Sequence, residues 1–211
     1  MNRAAVSVLA AFIVGLGLAA PALADDVFIG GFAHDSSLGV SGTPHEGGTY
    51  DVELGYRTAP FHVWWLLNPM AYAKGEINTD RKTSFFTVGA EWRKHLFHTK
   101  FYGGFGVGAA WVDGYNTYPN DFNASSTPVP PPTTPPAVQQ LYLTDLAIFR
   151  SRKAMGSDFL FNPNFTFGYD ITPRFGVEGA WEHYSNAGLG KRNPGMDNWG
   201  ARLVYHFGRQ N

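Results

Sequence analysis

Apolar and polar residues alternate with a period of two through five stretches of this 211-residue chain. In the first, Tyr50, Val52, Leu54 and Tyr56 fall on one face of a strand, and Asp51, Glu53 and Arg57 on the other, because successive strand side chains point to opposite sides. From Phe85 to Arg93, Phe86, Val88, Ala90 and Trp92 oppose Thr87, Glu91 and Arg93. Between Asp158 and Asp170, Phe159, Phe161, Phe165, Phe167 and Tyr169 oppose Asp158, Asn162, Asn164, Thr166 and Asp170. Across Phe175 to Asn186, Phe175, Val177 and Trp181 oppose Glu178 and Glu182; finally Trp199, Leu203, Tyr205 and Phe207 oppose Asn198, Arg202 and His206. Three further segments bring the expected strands to eight. Val27 to His34 is short and glycine-broken, and His62 to Ile77 has an ambiguous phase around Asn68-Pro69. Lys100 to Tyr115 sets Phe101, Phe105, Val107 and Trp111 against Tyr102, Gly104, Gly106 and Gly108.

Such alternation suits either a soluble sandwich, apolar face inward, or a membrane barrel, apolar face outward. Two observations favour the barrel. Residues 1–24 read as a secretory leader: Arg3, the apolar run Ala4 to Leu18, then Ala22-Leu23-Ala24 as a small-x-small cleavage site. Aromatic residues make up 16% of the chain and glycine numbers 25, which fits rings facing lipid and glycines packed in a narrow lumen. No later apolar stretch is long enough for a membrane helix. The expected fold is therefore all-β, an eight-stranded antiparallel transmembrane barrel of the bacterial outer membrane spanning residues 25–211. Asp51, Glu53, Arg57, Glu91, Arg93, Glu178, Glu182 and Arg202 would fill it as a paired, near-balanced network, because unpaired charges are not tolerated there. A plugged core is expected rather than a pore. The net charge of −1 offers no basic field for nucleic acid, and the absence of cysteine excludes disulfides and thiolate metal sites.

The connections alternate in length. Thr58-Ala59-Pro60, His98-Thr99 and Thr172-Pro173 read as tight periplasmic turns; Asp35 to Gly47, Asn78 to Lys82, Asn116 to Gly156 and Ala187 to Met196 fall at the other, extracellular end. The loop at about 116–156 carries Pro128-Val129-Pro130-Pro131-Pro132 and Pro135-Pro136, so an extended, polyproline-like excursion with little packing is expected. The mature chain reads as helix-free.

Candidate chemistry sits near the carboxyl end. His183 and Ser185 are two apart on one strand, hence on one face, and Asp197 falls on the same outward face of the next strand. A nucleophile, a base and a carboxylate so arranged could form a hydrolytic triad. Ordinary interfacial polarity at a strand end is the alternative, and spacing alone does not choose between them.

The wider run does more. His183-Tyr184-Ser185-Asn186-Ala187-Gly188-Leu189, then Asn193 and an acidic residue twelve positions beyond the serine, resembles the lipid A 3-O-deacylase family of the PagL type. The resemblance implies Ser185 as nucleophile, His183 as general base and Asp197 as the acidic partner. It also implies an oxyanion hole from Asn193 and the Gly188 backbone N–H. The implied substrate is lipid A of lipopolysaccharide, met among outer-membrane lipids and cleaved at its 3-O-linked 3-hydroxyacyl ester; no metal or organic cofactor is implied. This chain departs from the family pattern by carrying aspartate where glutamate is expected. Glu182 points inward by phase and cannot replace it, and Asn186, also inward, reads as structural. Trp181, Trp199 and Phe175 are candidates for an acyl-chain groove, and Lys191 and Arg192 for contacts to lipid A phosphates, although each set is equally ordinary as girdle rings or solvated loop cations. The competing functions are a non-enzymatic barrel (wall protein, adhesin or small-solute conduit) and a broader esterase acting on phospholipids or short esters.

Overall fold

The computed structural model describes residues 25–207; the expected leader over residues 1–24 lies outside them. Eight antiparallel strands close into a barrel in chain order: β1 (Asp26–Ala33), β2 (Tyr50–Arg57), β3 (Met70–Asn78), β4 (Ser84–His95), β5 (Phe101–Asp113), β6 (Phe159–Asp170), β7 (Phe175–Tyr184) and β8 (Met196–His206). Asp26 pairs with Arg57 on one side and His206 on the other, and Ala33 with Tyr50 and Trp199, so β8 seals against β1. This is the outer-membrane barrel fold. No helix among the described residues is long and apolar enough to cross a membrane; the strands do so.

The alternation resolves as expected, with apolar rings outward and charges inward. Eight strands leave a lumen just wide enough for side chains, and here they fill it. Near the short-turn end, Arg57 holds Glu178 through two bonds of 3.0 and 3.2 Å and also meets Glu91 at 3.2 Å. Arg93 reaches Glu178 at 2.8 Å and Asp26 at 3.0 Å. Further along the axis Arg202 grips Glu53 and Glu182, and Lys74 bridges Glu53, Glu76 and Glu182. Glu53, Glu76 and Glu182 converge closely, and the Lys74 ammonium fills the position a metal cation would take. Lys74 and Glu76 were hidden in the segment of ambiguous phase. On β5 the inward glycines make room for neighbours: a Cβ on Gly106 would lie 2.5 Å from Asn164 Oδ1, and one on Gly108 2.4 Å from the Tyr72 hydroxyl.

Two connections differ from expectation. The β2–β3 link is no tight turn and β3 begins only at Met70: residues 58–69 form an outward flap around a 3₁₀ turn, Trp64–Leu66. Leu67 and Asn68 take positive φ there, and Pro69 follows, so the extended run assumed from His62 cannot form. The long loop is not helix-free either. Its proline run is irregular, but a 16-residue helix, α1 (Pro136–Ser151), follows. The proline at N1, where no amide bond is lost, starts the helix, and Tyr142, Leu146 and Phe149 then pack on Tyr118, Phe122 and Ala154. That apolar spacing outweighs the loop-like composition preceding it.

The long-loop end is closed by one carboxylate. Buried Glu46 accepts N–H bonds from Thr83 (2.8 Å) and Lys153 (2.8 Å) and meets His34 at 3.2 Å, tying three loops together. Behind it Met155 enters the barrel mouth against Phe85 and Tyr184, whose rings stack at 3.8 Å. Burial pushes the Glu46 pKa up, but hydrogen bonds from His34, Lys153 and Thr83 outweigh it and bring it down to about 2. Burial pushes His34 down, and Asp51 and Glu46 together lift it to about 9. The signs are opposite. Glu46 contributes stability above its ordinary value of 4.5, lost as pH falls towards 2. His34 contributes below 6.5, and that is lost as pH rises through 9. Hydrogen exchange over residues 34–49 and 152–156, corrected for intrinsic rate, should therefore be slowest between these limits. Glu46→Gln should abolish the acid limb and loosen the cap by about 3 kcal/mol, the usual cost of breaking a buried pair.

Candidate active site

Glu178 and Glu182 point into the lumen of β7, so Trp181 and His183 point out. Directly across the ladder, His183 pairs with Asp197 of β8. Their side chains meet on the outer wall: His183 Nδ1 lies 3.0 Å from Asp197 Oδ1. The same oxygen accepts the Trp181 indole N–H at 3.0 Å. On the other flank, between the pairs Phe165–Trp181 and Phe161–Ser185, stands Pro163, opposite His183. Proline has no N–H to give, and the His183 carbonyl instead accepts from Asn162 Nδ2 at 3.2 Å. The histidine backbone is thus held on both sides.

Ser185 continues the strand past Tyr184, exchanging two backbone hydrogen bonds with Phe161 (2.7 and 3.1 Å). Its side chain shares the outward face of His183 at the long-loop end of the barrel. The structure brings His183 and Asp197 into contact but leaves the Ser185 hydroxyl, among the described residues, without a hydrogen-bond partner. His183 Nε2 is likewise unengaged among them.

A residue that sequence reasoning missed completes the pair. The loop after β1 folds over the outer wall of β8 and buries Asp197. Ser36 N–H donates to the Asp197 carbonyl at 2.7 Å and Gly42 N–H to that of Pro194 at 3.0 Å. Ser41 N–H donates to Asp197 Oδ2 at 2.6 Å, and its hydroxyl lies 3.3 Å from His183 Nδ1. Gly39, at φ +152°, admits this approach, since a Cβ there would sit 2.4 Å from the Asp197 carboxyl carbon. Ser41 is not placed as a nucleophile: the nitrogen it touches is the one that binds Asp197, and an N–H committed to a carboxylate has no lone pair to take a proton. No periodicity marks loop residues, and Ser41 stands 142 positions from His183, so nothing in the sequence joins them.

The remaining expected residues lie on the 185–195 loop. Asn193 Oδ1 accepts the Asn186 N–H at 3.0 Å, which leaves its Nδ2 donor without a partner among the described residues. Gly188, at φ +79°, gives its N–H to Asn186 Oδ1 at 2.9 Å. Asn186 itself points inward, as expected, and donates to the Met155 and Arg192 carbonyls. Lys191 is exposed, whereas Arg192 stands 5.1 Å over the Tyr118 ring. Of the groove candidates, Trp181 stacks beside His183 and Trp199 beside Trp181. Phe175 is eight residues down β7, about 26 Å away at strand rise, too far to line the same entrance. Phe165, 5.7 Å from Trp181 across β6, takes its place.

Fold and site together define an outer-membrane β-barrel with a histidine–carboxylate pair and a serine on its lipid-facing wall. The sequence model of the lipid A 3-O-deacylase (PagL) family matches residues 141–206, a span containing His183, Ser185, Gly188, Asn193 and Asp197. The chain resembles that family. Among solved structures it is similar to the outer membrane enzyme PagL, at 15% identity and a TM-score of 0.53, over 85% of this chain and 97% of that one. It is also similar to a de novo designed transmembrane β-barrel (9% identity, TM-score 0.47, 89% and 98% covered). A third is the Yersinia pestis outer membrane protein Ail (12% identity, TM-score 0.44, 88% and 99% covered). At these identities the likeness concerns the fold. No curated protein sequence matches the chain.

The loop-to-wall contact can be tested without assuming any reaction. Asp197→Ala removes the acceptor of the Ser41 amide, and exchange at that amide should accelerate at least about tenfold, the loss of a charge-assisted bond. The His34 amide, bonded to Thr49, should keep its protection.

Proposed function

We propose that the protein is an outer-membrane esterase that removes the 3-O-linked 3-hydroxyacyl chain of lipid A at the outer leaflet. The observation that carries this reading is the outward His183–Asp197 pair, Nδ1 bound to the carboxylate and Nε2 unengaged, two residues before a serine on the same face. A hydrolytic triad needs that polarity of the ring. The family match over residues 141–206 supports the choice of substrate, and the barrel supports its location. A nucleophile on the outer wall meets a lipid ester without lifting the lipid from the membrane.

In this mechanism Ser185 Oγ attacks the ester carbonyl while His183 Nε2 takes its proton. Asp197 holds the ring and stabilises the imidazolium. The oxyanion forms within reach of the 185–195 loop, where the unengaged Asn193 amide is the principal donor and the Gly188 N–H, shared with Asn186, a secondary one. Collapse expels the sugar 3-hydroxyl with the proton from His183, and water then clears the acyl-enzyme by the same route. Aspartate serves in place of the longer glutamate because the carboxylate is fixed from three sides, by Trp181, His183 and Ser41. Trp181, Trp199 and Phe165 offer the departing chain an apolar wall.

Lipid A from cells expressing the protein should lack one hydroxyacyl chain by mass spectrometry, and lipid A from cells expressing Ser185→Ala should be intact. Unchanged lipid A from both, with the barrel folded in the membrane, would leave a non-enzymatic wall protein; preferential turnover of phospholipid would make it a broader esterase. Asn193→Ala should lower kcat by about 10²–10³, the cost of one oxyanion donor. Asp197→Glu should also lower turnover, because Gly39 and Ser41 already close on the shorter side chain.

A further inference from the structure

A pocket of about 280 Å³ lies between the two loops that flank the site, lined by Tyr118, Ala154, Arg192, Asn193 and Pro194. Its position is set by the chain. Asn193, on its wall, is the candidate oxyanion donor. Pro194 leads directly to Gly195, where a Cβ would lie 3.0 Å from His183 Cε1. The segment 192–195 thus has the pocket at one end and the imidazole at the other.

Arg192 gives the pocket its chemistry. Its guanidinium sits 5.1 Å over the Tyr118 ring, and among the described residues no carboxylate pairs with it. Two neighbouring arginines are paired: Arg202 is locked between Glu53 and Glu182, and Arg152 lies 3.7 Å from Glu46. The Arg192 platform is rigid. Tyr118 is buried, its hydroxyl donates to the Arg152 carbonyl at 3.0 Å, and its ring packs on Phe149 at 4.8 Å. The Arg192 backbone is held by Asn186 Nδ2. A guanidinium stacked on a ring keeps its N–H edge free, the geometry that binds phosphate oxygens in pairs.

From this we infer that Arg192, seated on Tyr118, is a specificity-determining residue that binds a phosphate monoester on the sugar headgroup of the lipid substrate. This subsite rests on the proposed deacylation and adds the polar end of the same ligand. It orients the headgroup so that the acyl ester reaches Ser185 beside Asn193. Lys191, exposed and unsupported, is not part of it.

The experiment measures deacylation in mixed micelles with diphosphorylated lipid A and with each of its two monophosphorylated forms. Arg192→Ala should raise KM for the diphosphorylated lipid about tenfold, one charge-assisted contact, with kcat within twofold. On the form lacking the recognised phosphate, variant and wild type should have equal KM, and Arg192→Lys should recover part of the loss. Equal loss on all three lipids, no loss on any, or a fall in kcat alone would overturn the subsite. A second arm uses Ser185→Ala protein, whose binding to vesicles doped with diphosphorylated lipid A should weaken when Arg192→Ala is added. That arm reads the subsite even if lipid A is not hydrolysed, so failure of the subsite and failure of the esterase reading are distinguishable. Millimolar inorganic phosphate that displaces the lipid as effectively as a free lipid A headgroup would mark a free-phosphate site instead and contradict the inference.

Discussion

Glu182 is the side chain on which the arrangement depends. Inside the barrel it lies between Lys74 and Arg202, bonded to both and to the Tyr184 hydroxyl at 2.6 Å. A strand offers two faces, and a one-residue slip would exchange them, turning Glu178 and Glu182 into hydrocarbon and stripping a partner from Arg57, Arg93, Lys74 and Arg202. Neither outcome is affordable in a medium without water. The ion pairs need not add net stability to do this; they make the alternative phase prohibitive. Because Glu182 must face in, its neighbour His183 must face out, and Ser185 with it.

Around that fixed pair the rest of the site is assembled from loops. The segment after β1 crosses over the wall to hold Asp197, and the helix-bearing loop supplies Tyr118 and Ala154 beside Arg192. The 185–195 loop carries Asn193 and Gly188, the proposed oxyanion donors. Glu46 ties the first of these loops to the helix-bearing loop at Lys153 and to the β3–β4 turn at Thr83, so the cap that closes the lumen also steadies two of the elements that shape the outer wall. Structural closure and site geometry share the loop after β1, which bonds to the cap through Glu46 and to the wall through Ser41.

The strand set and its phase were legible in the sequence because lipid and lumen impose opposite chemistry on alternate residues. His183, Ser185 and Asp197 could be placed on one face by that rule alone. What the rule does not reach is the loops. Ser41 lies in a segment without period, and its role exists only once β1 and β8 are neighbours across the seam. Helix α1 was obscured because proline-rich composition dominates the start of its loop, although Tyr142, Leu146 and Phe149 keep helical spacing. Lys74 and Glu76 were lost where Asn68-Pro69 blurred the phase, and with them half of the cage around Glu182. Phe175 was given a groove role from its face alone; parity says which side a residue takes, not how far along the strand it sits.

The central claim is that the Ser185 hydroxyl, on the outer wall, is the group that reacts with a lipid ester. A phosphonate carrying a long acyl tail, presented in a bilayer to the folded protein and followed by peptide mass spectrometry, tests it most directly. The expected result is a single adduct on Ser185, abolished by His183→Ala. An adduct on Ser41, or none on the intact barrel, would contradict it.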